Sequence, residues 1–229
     1  MPRRWAGLVA KVRRLNPDWS YRLWTDADND AFVAREFPDL LERFRAYPRP
    51  IMRADVIRYL LLARIGGVYL DLDYEVLAPF DFGPHALVLP LNRSRAQGDG
   101  DDGIGNCILA SAPGHPFWDA VVEALRTDRT VVRTQQDVID ATGPGLLTRV
   151  HRGGRFDDAH LPDRPVWHPP SPRSPRDVEV LAANGVTRGV HHTWGSWRGL
   201  TARLRRDLVR SPLTQRLLRR PGSGEGSAG

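Results

Sequence analysis

The stretch Arg64-Ile-Gly-Gly-Val-Tyr-Leu-Asp-Leu-Asp73 decides the fold of this chain. An apolar helix ends on Gly66 and Gly67, a short apolar strand follows over Val68-Tyr69-Leu70, and the strand ends on Asp71 and Asp73. Side chains of a strand alternate between its faces, so residues two apart point the same way. Asp71 and Asp73 are therefore expected to present two carboxylates together at the C-terminal edge of a strand, where open α/β sheets bind ligands. Two hard oxygen donors in that place suit Mn²⁺ or Mg²⁺ carrying a substrate diphosphate.

Upstream of the glycines, Ile51 to Ile65 is apolar around most of a helical circumference, through Val56, Ile57, Leu60, Leu61, Leu62 and Ala63. Such a helix belongs in the middle of a domain. Pro50 suits its first turn, and Gly66-Gly67 supply a left-handed stop. Arg53, Asp55 and Arg58 interrupt the apolar surface, and an interior helix keeps charges only where they are satisfied. Asp55 and Arg58, three residues apart, share a face. Two readings stand: an internal ion pair tethering the helix, or a sugar site. In the second, Asp55 accepts from hydroxyls and Arg58 donates to sugar or phosphate oxygens.

The remaining pattern alternates helices and strands. Trp5, Leu8, Val9, Val12 and Leu15 predict a first amphipathic helix, broken by Asn16-Pro17-Asp18. Tyr21 to Trp24 reads as a strand, followed by a helix capped by Thr25 or Asp26 and a weak helix around Leu40 to Tyr47. Strands are expected at Ala86–Leu91 and Ile104–Ala110, an edge strand at Val166-Trp167 and a last strand at Val190–Trp194. Helices are expected from His115 to Arg126 and after Thr142-Gly-Pro-Gly145. This order predicts an α/β domain with a largely parallel sheet flanked by helices.

Charge is distributed unevenly over the 229 residues. Residues 198–229 carry eight Arg against Asp207 and Glu225, and that excess equals the whole net charge of +6, leaving a neutral body. A neutral body argues against a basic nucleic-acid groove. Within the tail, Leu200, Leu204, Leu208, Leu217 and Leu218 alternate with arginines. Residues 199–220 thus read either as a basic interfacial helix able to contact anionic lipid or as a solvated helix closing the domain. Residues 221–229 have the composition of a disordered tail. A single cysteine, Cys107, excludes an internal disulfide framework. No apolar run approaches the roughly 18 residues of a membrane span, and no secretory signal opens the chain. The expected location is the cytoplasm, with peripheral contact at the inner face of a membrane.

The series Arg53-x-Asp55-x-x-Arg58-Tyr59, then Gly66-Gly67-Val-Tyr69-Leu-Asp71-Leu-Asp73, resembles the DXD glycosyltransferases of family 32. That family includes bacterial capsular-polysaccharide and yeast mannosyltransferase-type enzymes, and it is related to the clostridial toxin glucosyltransferases. Further segments match in order: Asn16-Pro17 with Tyr21 to Thr25, Asn106, Ala110 to Pro116, Thr142-Gly-Pro144, His191-His192 and Ser196-Trp197. The resemblance covers about residues 16–198. It implies a GT-A-like, Rossmann-like domain over 1–198 that moves a sugar from a UDP- or GDP-sugar to a glycan, lipid or other hydroxyl, with retention of configuration. The family's usual opening strand, of the type Ile-Pro-x-x-Ile-His-x-Ile-Trp, has no counterpart here. The sheet is accordingly expected to lack its first member, and the working gene product to extend further upstream.

The same resemblance implies residue roles. Asp73 would bind the metal directly, and Asp71 would face the ribose and sugar and reach the metal through water. Asp55, Arg58 and Tyr69 would line the sugar pocket together with Arg53, with Asn106 beside the transferred ring. His191 or His192 would complete the metal shell, the choice being open because neighbouring strand positions face opposite ways. Ser196 and Trp197 would hold the diphosphate. Two other functions compete with this one: a haloacid-dehalogenase-type phosphohydrolase, which also places Asp-x-Asp after an apolar strand, and a non-catalytic carbohydrate-binding remnant.

Overall fold

A computed structural model describes residues 3–92 and 103–194. The described elements belong to one unit, Met1–Thr193; the second unit, Trp194–Gly229, falls outside the described residues except for Trp194. Ser196, Trp197, the basic segment 199–220 and the tail 221–229 are thus outside the described part.

The chain opens with α1 (Arg3–Leu15), whose Val12 is buried. Asn16 ends it as a joint: its Nδ2 donates to the Val12 carbonyl at 3.0 Å and its Oδ1 accepts from Phe80 N–H at 2.7 Å. Residues 21–24 form no strand. Tyr21, Arg22 and Leu23 are all exposed and Trp24 packs edge-on against Phe32 at 5.4 Å, so the segment buries no alternating face and pairs with no strand among the described residues. Helix α2 (Asp26–Glu36) begins with a reciprocal capping box between Thr25 and Asp28. A 3₁₀ turn at Pro38–Leu40 leads to the short α3 (Leu41–Ala46).

Helix α4 (Pro50–Arg64) is the centre of the molecule, with Pro50 in its first turn and Met52 and every residue from Asp55 to Ala63 buried. Each fully buried large apolar side chain here stabilises the fold by about 1.5–3 kcal/mol relative to exposure. The helix ends where Gly66 and Gly67 adopt φ of 70° and 92°. Strand β1 (Gly67–Leu70) follows, then β2 (Tyr74–Val76), β3 (Leu87–Val88) and β4 (Ile108–Ser111). Helices α5 (Pro116–Thr127), α6 (Gln135–Ala141) and α7 (Pro144–Gly153) come next, with Phe117, Trp118, Val121, Leu125, Leu146 and Leu147 joining α4 in the main core. The chain then runs through β5 (Ala159–His160), α8 (Arg164–Trp167), α9 (Pro175–Ala183) and β6 (Gly189–His191).

The main sheet has the order β1-β4-β3-β5. A mixed sheet flanked by helices agrees with the sequence reading, but the expected parallel majority does not. Among described pairs only β3 and β5 run parallel, while β1–β4, β3–β4 and β2–β6 are antiparallel. A chain that returns directly onto a neighbouring strand needs no helical crossover, and α-helices between distant strands imitate the βαβ pattern in sequence. Val166-Trp167 also departs from expectation. Pro165 sits in the first turn of α8 and Asp163 caps it, so the segment is a helical turn that buries Trp167.

The small β2–β6 ribbon positions the site. It pairs Tyr74 with His191 and Val76 with Gly189, which brings residues near 190 against the doublet after β1. Its apolar side packs with Val12, Cys107, Ile108 and Trp167 in a second core.

Candidate active site

Asp71 and Asp73 lie just beyond β1 rather than within it. Asp71 N–H donates to the Cys107 carbonyl at 2.9 Å, and the Asp71 carbonyl accepts from Tyr74 N–H at 3.0 Å. That bond closes a turn over Asp71-Leu72-Asp73-Tyr74, which reverses the chain into β2. The two carboxylates converge as expected, but through a turn and not through strand alternation.

Strand β6 supplies the third member. His191 Nε2 lies 3.0 Å from Asp73 Oδ1 and 3.6 Å from Asp71 Oδ2. His192, one residue on, turns to Glu75 at 2.8 Å, and Glu75 also takes Lys11 of α1 at 2.6 Å. The two histidines therefore separate: His191 faces the doublet and His192 faces Glu75. Burial works against a charged His191 ring, but Cys107, Asp73 and Asp71 outweigh it and hold the imidazole pKa well above its usual value.

Behind the doublet stands a buried polar network on α4. Arg58, 2% exposed, forms ion pairs with Asp55 Oδ1 and with Asp71 Oδ1, each at 3.1 Å. It also donates to the carbonyls of Ala54 and Asn106 and packs over the Tyr69 ring at 4.7 Å. Tyr69 O–H donates to Asp71 Oδ1 at 3.0 Å. Asn106 Nδ2 donates to Asp55 Oδ1 at 2.9 Å and to the Tyr59 hydroxyl at 3.1 Å, and Thr142 approaches Asp55 Oδ2 at 3.4 Å. Tyr59 stacks on Trp118 at 5.9 Å. Burial pushes the Asp55 carboxyl up to about 7, with Arg58 opposing and Asp71 adding to the rise. Burial also disfavours the Arg58 charge, yet Asp71, Tyr69 and Asp55 hold it charged beyond its usual range. Arg53 lies apart: it pairs with Asp30 of α2 at 2.6 Å and packs over Phe44 at 4.9 Å.

The structure thus gathers Asp55, Arg58, Tyr69, Asp71, Asp73, Asn106 and His191, and places Arg53 and His192 in other contacts. Asp71, Asp73 and His191 each offer a donor atom, all within 4.8 Å of one another. Two carboxylates and an imidazole converging on one point are a chemically suitable set for a divalent cation. The sequence reading missed Thr142 as an Asp55 partner, though it marked Thr142-Gly-Pro144 as a motif. It also missed His168, whose Nδ1 lies 3.8 Å from Cys107 Sγ. Nothing in the spacing of His168 signals that contact.

Residues 2–89 match the family described as glycosyltransferase sugar-binding region containing DXD motif. The chain belongs to these DXD glycosyltransferases. It is similar to mannosyl phosphorylinositol ceramide synthase CSH1 of Saccharomyces cerevisiae, 37% identical over 151 residues, which are 66% of this chain and 39% of that protein. It is 35% identical over 169 residues to inositol phosphoceramide mannosyltransferase 3 of Schizosaccharomyces pombe, covering 73% of this chain and 45% of the relative. The similarity to inositol phosphoceramide mannosyltransferase 1 of the same yeast is 28% over 212 residues, 89% of this chain and 60% of the relative. The chain spans less than half the length of the first two relatives. Among solved structures, PaToxG Glycosyltransferase aligns at 16% identity with a TM-score of 0.44 over 66% of this chain and 63% of that one, too loose a likeness to assign a fold.

Proposed function

We propose that this protein transfers a hexose, with mannose the first candidate, from a nucleotide-sugar donor to a hydroxyl of a glycolipid or glycan. The observation that carries the reading is the convergence of Asp71, Asp73 and His191 directly in front of the Arg58–Asp55–Asn106 network. Mannose and a lipid-linked acceptor are suggested by the names of the relatives, which are inositol phosphoceramide mannosyltransferases and mannosyl phosphorylinositol ceramide synthases.

In this reading Asp73, Asp71 and His191 hold Mn²⁺ or Mg²⁺ together with the donor diphosphate. The mixed oxygen and nitrogen donor set favours Mn²⁺, since Mg²⁺ is held mainly by oxygen. When bound, the cation offsets charge building on the departing diphosphate. Arg58 keeps Asp71 correctly aimed through their 3.1 Å contact, and the fixed guanidinium adds positive potential before reaction begins, which is where electrostatic catalysis gains most. Asp55 is 4% exposed, and its observed partners are Arg58, Asn106 and Thr142. It therefore acts by orienting Arg58 and the Asn106 amide, and Asn106 and Tyr69 define the wall against which the sugar ring is held. Retention of configuration, with the acceptor hydroxyl attacking on the face the diphosphate leaves, is part of the proposal. Peripheral contact of the basic segment 199–220 with anionic lipid, on the cytoplasmic side, is another part, supported by its charge. No helix among the described residues is long and apolar enough to cross a membrane.

A thermal-shift screen of GDP-mannose and UDP-sugars with and without Mn²⁺ tests the reading. A ligand that binds the native state raises the melting temperature. The expected result is a rise with a nucleotide sugar that requires Mn²⁺ and disappears in Asp73→Ala. Indifference to every nucleotide sugar, with any metal, refutes it.

A further inference from the structure

A second ligand set lies beside the doublet. Cys107, His168 and His191 each offer one donor atom, again all within 4.8 Å of one another. Cys107 precedes β4, His168 follows α8 and His191 ends β6, so three separate elements converge on one point. The Cys107 Sγ to His168 Nδ1 distance is 3.8 Å. Tetrahedral zinc, with bonds of about 2.3 Å to sulfur and 2.0–2.1 Å to nitrogen, holds such a pair about 3.5 Å apart. The Cys–His pair is thus already close to a zinc-binding separation. The backbone makes room for it as well: a Cβ at position 105 would stand 2.6 Å from His168 Nδ1, so the ring occupies space that only Gly105 leaves open.

The two sets differ in chemistry and share His191. One combines His191 with the carboxylates of Asp71 and Asp73, and the other combines it with a thiolate and a second imidazole. Hard cations favour the first, and thiophilic cations the second. We infer that Cys107, His168 and His191 form a site for Zn²⁺ or a similar thiophilic divalent cation, and that its occupation antagonises cation binding at Asp71 and Asp73. A water or a nearby carboxylate completes a tetrahedral shell, as in zinc sites with three protein ligands. Binding releases to solvent the proton held between Cys107 and His191, which ligate as a thiolate and a neutral imidazole. Antagonism follows from the shared ring and from repulsion between two dications drawing on neighbouring ligands. Only this antagonism rests on the proposed role of Asp71 and Asp73; the thiophilic site stands without it.

Titration of the full chain with Co²⁺, a spectroscopic stand-in for Zn²⁺, tests the site directly. The expected result is one cobalt per chain with a thiolate-to-cobalt charge-transfer band and intense tetrahedral d–d bands, both removed by Zn²⁺. Cys107→Ser should abolish the charge-transfer band, and His168→Ala should weaken binding by more than the roughly 10–100-fold that outer-shell changes bring. Asp73→Asn should keep the charge-transfer band, which separates this site from the carboxylate site. Circular dichroism of each variant establishes that it is folded, and Gly105→Ala, which displaces the ring without removing a ligand, gives a second route to the same loss. Absence of the band in the folded wild type, or its persistence in Cys107→Ser, overturns the proposal. In the second arm, Zn²⁺ should raise the Mn²⁺ concentration needed for nucleotide-sugar binding in the wild type and not in Cys107→Ser. An unchanged Mn²⁺ requirement in the zinc-loaded wild type overturns the antagonism, whereas a cobalt band without any nucleotide-sugar binding overturns the transferase reading alone.

Discussion

Arg58, in the middle of the central helix, bridges Asp55 and Asp71 with 3.1 Å contacts to both. One buried cation thereby joins the core to the rim of the site. Removing one partner of a buried ion pair leaves an uncompensated charge and typically costs about 3–5 kcal/mol. Arg58→Met should therefore destabilise the protein by about that much in urea unfolding, whereas Arg58→Met combined with Asp55→Leu should recover a substantial part. Full additivity of the two substitutions would contradict the coupling.

Asp55 gives the stability a defined pH dependence. Its carboxyl titrates near 7 in the folded protein against the ordinary value of 3.8. The folded chain then holds a proton that the unfolded chain has released, so stability falls as pH rises from about 4 to about 7 and levels above that. Asp55→Asn carries no such proton. The stability of Asp55→Asn relative to wild type should rise between pH 5 and pH 8 in matched denaturant titrations; a constant difference would contradict the shift.

The two glycines after α4 should not respond alike. Both have positive φ, but a Cβ on Gly66 would lie 2.6 Å from Pro113 N and 2.8 Å from the Ser111 carbonyl oxygen, while Gly67 has open space. Gly67→Ala should cost about 1–2 kcal/mol, the penalty for a left-handed residue. Gly66→Ala should cost more, because it pushes backbone against backbone where β1 leaves the helix. Equal urea midpoints for the two variants would contradict this.

Much of this frame is legible in the chain. The apolar circumference of residues 51–65 and the two glycines locate α4 and its stop, because burial and left-handed backbone leave compositional marks. The convergence of Asp71 and Asp73 is also legible, although the turn that produces it is not: Asp-Leu-Asp-Tyr carries neither Gly nor Pro to announce a reversal. The meeting of His191 with Asp73 depends on pairing across 118 residues, which no local pattern encodes. The choice between His191 and His192 follows from that register alone. Tyr21 to Trp24 shows the opposite failure, a strand-like pattern that no partner strand meets.

That register makes neighbouring histidines inequivalent. His191→Ala should weaken Mn²⁺ binding by more than about tenfold, at the scale seen when support of a metal site is lost. His192→Ala should leave it nearly unchanged, because that ring serves Glu75. Isothermal titration with Mn²⁺ distinguishes them, and comparable losses in both variants would contradict the assignment.

Electron–nuclear double resonance on Mn²⁺ bound to the full chain with GDP-mannose tests most directly whether the acidic pair holds the cation against the donor diphosphate. The account predicts phosphorus-31 hyperfine couplings, together with a nitrogen coupling that vanishes in His191→Ala, and loss of the whole signal in Asp73→Asn. A bound manganese with no phosphorus coupling, or the same spectrum from Asp73→Asn, would contradict it.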